Sequence, residues 1–394
     1  MCRRPRRGVR ADVSRDAGRR DVSAAPHADG LRETQGRPGV APVDDAYRVE
    51  SYSGTAAEWD AFVAGVPAAT HCHRYGWRGV MERVFGHDCV YLAARTGDGA
   101  LDGVLPLVRV KSPLFGHFLV SMPFLNYGGP VGSDRAIGAL VAAAGDRARR
   151  DGVSLLELRN RGPWPLPPID GWTTSTRKIT VVSAFPPGGE PALWKSLDGK
   201  LRSQVRRPQK EGVTVRFGID EVAPFFGVFA HHMRDLGTPT QPRRLFDAIA
   251  SAFPDDVWFG CAYFGGQPVA GGCGFRWRSE FEMTWASSLV AHKRLAPNML
   301  LYWEFMRRAA TEGLTHFNFG RCTPESGTHR FKRQWGAQDE QLWWYQLTPR
   351  SEHGPPAKTP SPDDAAYAWG PRVWKRLPLT LATALGPRVV KYIP

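Results

Sequence analysis

The sequence predicts an α/β protein made of two copies of one sheet-and-helix unit, fused in tandem. Three observations carry that prediction. The same succession of a strand hairpin, a further strand, a helix and a closing strand occurs twice along the chain. The closing segments match as well: Asp151-Gly152-Val153-Ser154-Leu155-Leu156-Glu157-Leu158 and Glu312-Gly313-Leu314-Thr315-His316-Phe317-Asn318-Phe319 share an acidic, glycine, aliphatic, hydroxyl start. Finally, 394 residues with 42% hydrophobic content leave room for two cores.

Residues 1–45 carry ten arginines against seven acidic residues and almost no large apolar side chains. Such a segment buries too little surface to offset its ordering entropy, so it is read as a disordered tail. The first domain is read over residues 46–185. Trp59, Phe62 and Val63 share one face of a helix at 56–64, and a second helix spans about 75–85. Residues 89–94 are β-branched and apolar, Thr96-Gly97-Asp98-Gly99 is a turn, and 101–110 is the return strand. Pro106 argues that this strand lies at an edge or carries a bulge. A short apolar run at 119–122 ends in the sharp break Asn126-Tyr127-Gly128-Gly129-Pro130, followed by a helix at 137–150 and a strand at 153–158. The Pro-rich run 161–170 is irregular, and Pro186-Pro187-Gly188-Gly189-Glu190 is a second break, which puts the domain boundary near 185.

The second domain is read over 186–350. It opens with a basic segment, 195–216, in which Pro208 should end or kink the helix. Strands follow at 258–264 and 269–277, joined by Gly265-Gly266-Gln267, then at 281–288 and 314–319, with a helix at 298–311 between the last two. Residues 351–394 comprise a low-complexity linker and a basic, aromatic tail from Trp369. Two fates are open to that tail, resting on an anionic membrane surface or packing back on the body, and the second is the commoner one.

The formal charge of +14 and the pI near 9.8 point to anionic partners: phosphates, nucleic acid or an acidic membrane surface. Solubility alone explains such a balance equally well. The six cysteines (Cys2, Cys72, Cys89, Cys261, Cys273, Cys322) show no CxxC, which fits reduced thiols in a cytosolic protein. There is no apolar run of bilayer-spanning length and no apolar h-region behind the Arg-rich N-terminus. His71-Cys72-His73 has no partner spacing elsewhere, so no metal is expected, and His231-His232 reads as a half-exposed helical pair. The chain lacks a Gly-x-Ser-x-Gly elbow, a Walker loop and HExxH, which leaves covalent catalysis without support.

Three stretches can carry chemistry. Arg202, Arg206 and Lys210 recur every four residues and share a helical face, where Arg forks match phosphate oxygens or where the helix is simply solvated. Lys293-Arg294-Leu295-Ala296-Pro297-Asn298 leads into a helix whose first amides can bind an anion, although no Gly-x-Gly is present. The densest stretch runs from Gly320-Arg321 to Arg330-Phe331-Lys332-Arg333-Gln334-Trp335-Gly336. Arg321 and Arg330 can bind phosphate or carboxylate, and Lys332 can act on an oxyanion in acyl transfer. Phe331, Trp335, Trp343, Trp344 and Tyr345 either stack on a substrate or fill the core, and the alternation in 342–347 assigns at least half of them to the core.

Lys200-Leu201-Arg202, Arg206-Arg207 and Lys210-Glu211-Gly212-Val213-Thr214-Val215 together resemble the basic helix and following strand of FemA/FemB/FemX-type proteins. Phe317-Asn318-Phe319-Gly320-Arg321 with Ser326-Gly327-Thr328-His329-Arg330-Phe331-Lys332-Arg333-Gln334-Trp335-Gly336 resembles their C-terminal signature. Ser112-Pro113-Leu114-Phe115-Gly116, Ser121-Met122-Pro123-Phe124-Leu125-Asn126-Tyr127-Gly128-Gly129 and Leu236-Gly237-Thr238-Pro239 look like the FemAB-related proteins associated with PEP-CTERM/exosortase systems. The resemblance covers roughly residues 46–350. It implies two tandem GNAT-like (acyl-CoA N-acyltransferase) domains, each a mixed sheet flanked by helices.

The activity it implies is amide formation by acyl or aminoacyl transfer to an amine, in cell-envelope, peptidoglycan or exopolysaccharide-linked metabolism. The donor would be aminoacyl-tRNA or acyl-CoA, with no tightly bound cofactor and no metal. The acceptor would be nucleotide- or lipid-linked. By position, Phe331-Lys332 corresponds to the family's Phe-Lys pair near the donor end, and Arg206 or Arg207 to the contact with the acceptor's phosphates. The expectation is a cytoplasmic transferase, with optional contact at the inner face of the membrane and its site in the cleft between domains. There Lys332 would stabilise donor or oxyanion, Arg321 and Arg330 would bind anions, and Asn126 and Tyr127 would line the cleft from the first domain. The alternatives are an acyl-CoA-dependent N-acyltransferase and a non-catalytic binding or scaffold protein of an exosortase-type system.

Overall fold

The structure is a computed structural model that describes residues 47–112, 116–349 and 369–393. The tail expected over 1–45 and the linker expected after Pro349 lie outside the described residues. The first half runs β1 (Arg48–Ser51), α1 (Ala56–Gly65), α2 (Gly76–Phe85), β2 (Asp88–Arg95), β3 (Leu101–Ser112), β4 (Gly116–Ser121), β5 (Val131–Gly132), α3 (Asp134–Arg150), β6 (Leu155–Asn160), β7 (Trp172–Ser175) and β8 (Ile179–Ala184). Two connecting helices follow, α4 (Gly189–Ser196) and α5 (Gly199–Lys210). The second half runs β9 (Thr214–Phe217), α6 (Val222–Leu236), α7 (Arg243–Ala252), β10 (Val257–Phe264), β11 (Gln267–Trp277), β12 (Glu280–Ser288), α8 (Pro297–Thr311), β13 (His316–Cys322), α9 (Gly327–Arg333), β14 (Gln338–Gln341) and β15 (Trp343–Leu347). The helices α10 (Trp369–Trp374) and α11 (Leu379–Val390) end the described chain.

The local signals that predict these elements are at work in them. Thr55 and Ser133 cap α1 and α3 by accepting from the amides of Glu58 and Ala136. Gly265 and Gly266, with φ of 56° and 78°, make the two-residue turn that sets Phe264 opposite Gln267. Each half forms a mixed sheet flanked by helices, and the two sheets have the same plan. The first has the order β1-β2-β3-β4-β6-β15-β7, and the second β9-β10-β11-β12-β13-β8-β14. In each, the only parallel pair is closed by a helical crossover: β4 with β6 through α3, and β12 with β13 through α8. The repeat expected from the sequence is this crossover.

Strands pair across the expected boundary near 185. β8 precedes it yet pairs with β13 and β14 of the second sheet, while β15 follows it and pairs with β6 and β7 of the first. The halves exchange one strand each, and the periodicity of a single strand carries no information about which sheet it joins. Pro106 also departs from expectation, because β3 is an interior strand. Along one side of β3, β5 pairs with Gly103 and Val104 and β4 starts at Leu107. Pro106 falls in that gap, where a missing N–H interrupts no ladder on that side. Pro208 lies inside α5 and does not end it, since the helix has only Gln209 and Lys210 left to make and little ladder remains to lose.

Side-chain alternation decides the layers. Tyr91 and Ala93 of β2 face a core shared with Trp59 of α1, Trp77 of α2, Phe225 of α6, Phe246 of α7, and Phe259 and Phe275 of the second sheet. Val90 and Leu92 point the other way, onto α3. The outer face of the second sheet packs on α8, which is covered in turn by α4 and α5. That double cover explains why α8 buries residues around most of its circumference. The tail takes the commoner of its two fates. Gly237 abuts the backbone of Pro371, Gly386 abuts that of Thr240, and a Cβ at either glycine would come within 2.5 or 2.8 Å of it.

Candidate functional site

The site grows out of the end of β13. Its parallel pairing with β12 stops at Glu282 opposite Asn318, and its pairing with β8 shifts register between Asn318 and Arg321. Gly320 sits in that irregularity with φ 75°, its backbone so near Met283 that a Cβ would lie 2.8 Å from the Met283 carbonyl oxygen. Only glycine fits there. The carbonyls of Gly320 and Arg321 are taken by the Lys332 Nζ, which donates to them at 2.7 and 3.0 Å. Lys332 is buried, and that burial pushes its pKa down to about 8, with the Arg321 cation also lowering it.

Asn318 is fully buried and fully bonded. Its Oδ1 accepts from Thr180 Oγ1 at 2.6 Å and from the Gly320 amide at 2.8 Å. Its Nδ2 donates to the Tyr127 hydroxyl and to Glu280 Oε1, each at 3.1 Å. Glu280 also holds Arg161 through two bonds of 2.8 Å, and Arg161 reaches Glu340 at 2.8 Å. Beside this chain, Asn126 Nδ2 donates to Glu282 Oε1 at 2.7 Å, and His71 Nε2 lies 3.3 Å from Glu282 Oε2. Burial alone would lower the His71 pKa, but the Cys72 sulfur and the Glu282 carboxylate outweigh it and raise it to about 10. Burial likewise acts to raise Glu282, and His71 and Asn126 overcome it, so the carboxylate is held ionised. His71 also stacks on Phe275 with ring centroids 4.2 Å apart. These contacts tie residues of the first half to residues of the second.

Arg321 is unlike its neighbours. Its side chain reaches solvent and makes no hydrogen bond or ion pair among the described residues. It is nevertheless ringed by protein, and that desolvation, with the Arg159 cation next to it, lowers its pKa to about 10. A group open to water and depressed by surrounding protein lies in a recess. Its guanidinium is 4.9 Å from the Trp344 ring, which Arg159 also approaches at 4.5 Å. Trp344 belongs to β15, so the exchanged strand of the first sheet supplies one wall. Its buried indole Nε1 finds no acceptor among the described residues.

Of the residues singled out from sequence, Asn126, Tyr127, Arg321 and Lys332 therefore converge around Gly320. The other four lie elsewhere. Arg206 and Arg207 are exposed on α5, the former 5.2 Å over Trp194. Arg330 is exposed and donates to the Glu325 carbonyl at 2.9 Å. Phe331 packs edge-on against Tyr302, 5.0 Å away, within the core under the second sheet. Among the described residues no hydrogen bond, ion pair or ring contact joins these four to Arg321. Residues absent from the sequence-based set are Asn318, Glu280, Glu282, His71, Arg159 and Arg161, while Trp344 is among the aromatics left open between substrate stacking and core. A signal for Asn318 did exist, since it is a polar residue between Phe317 and Phe319 and aligns with Glu157 in the other copy.

The chemistry open to this arrangement is binding of an anionic group by Arg321 and polarisation by a cationic Lys332. An activated thiolate is not on offer, because burial raises the pKa of Cys322. Among the described residues no group of three or more His, Cys, Asp or Glu is placed to hold a metal ion. A cavity of about 330 Å³ bounded by Asp60, Arg74, Asp256, Arg276 and Arg278 lies apart from the cluster, and Asp256 pairs with both Arg74 and Arg276 there.

Residues 195–333 match the family described as the acetyltransferase (GNAT) domain. No curated protein matches the chain in sequence. Among solved structures, FemX is similar at a TM-score of 0.58 and 16% identity, over 75% of this chain and 96% of that one. A conserved protein of unknown function from Bacteroides thetaiotaomicron VPI-5482 is similar at a TM-score of 0.52 and 11% identity, over 76% and 99%. The C-terminal DUF2156 domain of a protein provisionally named a lysylphosphatidylglycerol synthetase from Agrobacterium fabrum is similar at 0.50 and 13% identity, over 74% and 90%. Residues 195–333 are thus similar to a GNAT acetyltransferase domain, and the two mixed sheets give the chain a tandem GNAT-like fold similar to that of FemX.

Proposed function

We propose that this protein is a cytoplasmic acyltransferase that joins an activated aminoacyl or acyl group to an amine on a nucleotide- or lipid-linked acceptor of cell-envelope, peptidoglycan or exopolysaccharide metabolism. The observation that carries the reading is the Arg321 recess: an accessible, unpaired guanidinium against Trp344, at the end of a strand whose carbonyls are fixed by Lys332. The amine attacks the donor carbonyl carbon, the ester or thioester bond breaks, and the amine's proton leaves with the departing oxygen or sulfur. The donor is already activated, so the protein's task is placement and stabilisation of the transient oxyanion. Arg321 seats a carboxylate or phosphate of one substrate, and Lys332 turns its remaining N–H toward the oxyanion. Asn126 and Tyr127 hold the first-half wall. Arg206 and Arg207 on α5 and Arg330 on α9 are exposed cations that meet the substrates' phosphates, and Phe331 supports α9 by packing on Tyr302.

The resemblance of the basic segment at 200–215 and of the 317–336 stretch to FemA/FemB/FemX-type proteins supports an aminoacyl donor carried by tRNA. The domain match over residues 195–333 supports the second reading, an acyl-CoA donor. Thermal stabilisation by each donor, followed by mass spectrometry of an amide product, separates them: CoA stabilises under the second reading and aminoacyl-tRNA under the first. An Arg321→Ala protein that binds either donor and its acceptor like the wild type would overturn the assignment of the recess. Absence of turnover with both, together with full cellular function of Lys332→Ala, would favour a non-catalytic scaffold of an exosortase-type system.

A further inference from the structure

We propose that the C-terminal helix pair is a docking surface for an anionic membrane. The two faces of α11 have different fates. Ala382, Gly386 and Val390, spaced every four residues, are buried against the body, so the fold has taken what it needs from that face. Leu381 and Leu385, also four apart, are left 49% and 40% exposed. Val373 of α10 is 52% exposed, and Leu236, beside the Gly237 that abuts Pro371, is 53% exposed. These four apolar side chains keep about half of their surface open to solvent.

Charge identifies the occupant. Residues 369–393 contain five Lys and Arg and no Asp or Glu. Arg372, Lys375, Arg376 and Arg388 are exposed and make no ion pair among the described residues. A second protein copy would bring its own positive charge to this face, whereas a layer of anionic headgroups complements it. Apolar side chains ringed by cations are the composition of a helix lying in the interface, its leucines among the upper acyl chains and its cations on the phosphates. With 12 residues, α11 is well short of the ~20 that a crossing helix needs, so it lies on the surface. The surface is separate from the acyl-transfer site, and an inactive protein would still bind through it.

The test is co-sedimentation of the full-length protein with vesicles of phosphatidylcholine alone and of phosphatidylcholine containing phosphatidylglycerol. Expected is binding to the anionic vesicles only, weakened roughly tenfold or more by Leu381→Asp with Leu385→Asp, and equally by Arg372→Gln with Lys375→Gln and Arg376→Gln. Unchanged melting temperatures would accompany both. Should the leucine variant unfold, the basic variant, confined to exposed side chains, decides alone. Equal binding to neutral vesicles, or anionic binding that survives the basic variant, overturns the proposal. So does loss of a dimer on size exclusion without any vesicle binding, which would assign the face to a second copy of the chain.

Discussion

The two copies of the crossover strand end in the same place and do different things there. In β6, Arg159 is 3% exposed and pairs with Glu157 at 2.7 Å, while Gln346 donates to the second Glu157 oxygen at 2.6 Å. In β13 the residue aligned with Glu157 is Asn318, and Arg321 makes no ion pair among the described residues. Asn318 spends all its bonds on Tyr127, Glu280, Thr180 and the Gly320 amide. One copy therefore neutralises its arginine inside the fold, and the other leaves its arginine open in a recess. A carboxylate stands at this strand position in one copy and an amide in the other, and under the proposed function only the second end binds substrate.

Substituting alanine for the arginine in each copy should give opposite readouts. Arg159→Ala strands the buried Glu157 carboxylate and should cost about 3–5 kcal/mol of stability in a denaturant titration. Arg321→Ala removes a desolvated cation that makes no ion pair among the described residues, so the midpoint should hold or rise. Affinity for the anionic substrate, measured by calorimetry, should instead fall by about 10- to 100-fold, the worth of a charged hydrogen bond. If both variants are equally unstable, the two ends are equivalent and the distinction fails.

Lys332 offers a sharper version through pH. Its pKa near 8 lies below its ordinary 10.5, so between those values the unfolded chain binds more protons than the folded one. Stability from this group therefore rises as pH climbs through that window, while activity that needs the ammonium falls above about pH 8. Lys332→Arg should move the activity limb to higher pH. Lys332→Ala should lose roughly 100-fold in kcat and also loosen Arg321, whose carbonyl it holds. Undiminished activity in Lys332→Ala would remove it from the mechanism.

The smallest effects belong to the outer arginines. Arg206→Ala and Arg207→Ala should change stability by no more than ~0.5 kcal/mol. Each should raise KM for a phosphate-bearing acceptor severalfold, and added salt should erase the difference. A salt-independent change would place these side chains inside the site and not at its rim.

Much of this was legible from the chain. Hydrophobic period and turn residues announced α1, α2, β2, β10, β11 and α8 within a few residues of their ends. The paired segments 151–158 and 312–319 announced the repeat. The legible part of the site was its charged stretch, Arg321 and Lys332, together with the Asn126-Tyr127 break. Arg330 and Phe331 belong to the same stretch but point away from the recess, because α9 turns successive residues to different faces. His71, Glu280 and Glu282 carried no local signal, since each is defined by a partner in the other half of the chain.

By itself the sequence determined which segments are helices and strands, that one unit occurs twice, and that only the second copy runs into an Arg-Phe-Lys cluster. Those properties depend on neighbours within a few residues. The tertiary structure alone decided that β8 and β15 change sheets, that Trp344 arrives beside Arg321, and that Glu157 cancels one arginine while Asn318 spares the other. Pairing and burial depend on residues far apart in the chain, and a charged side chain is spent or available only according to what the fold brings to it.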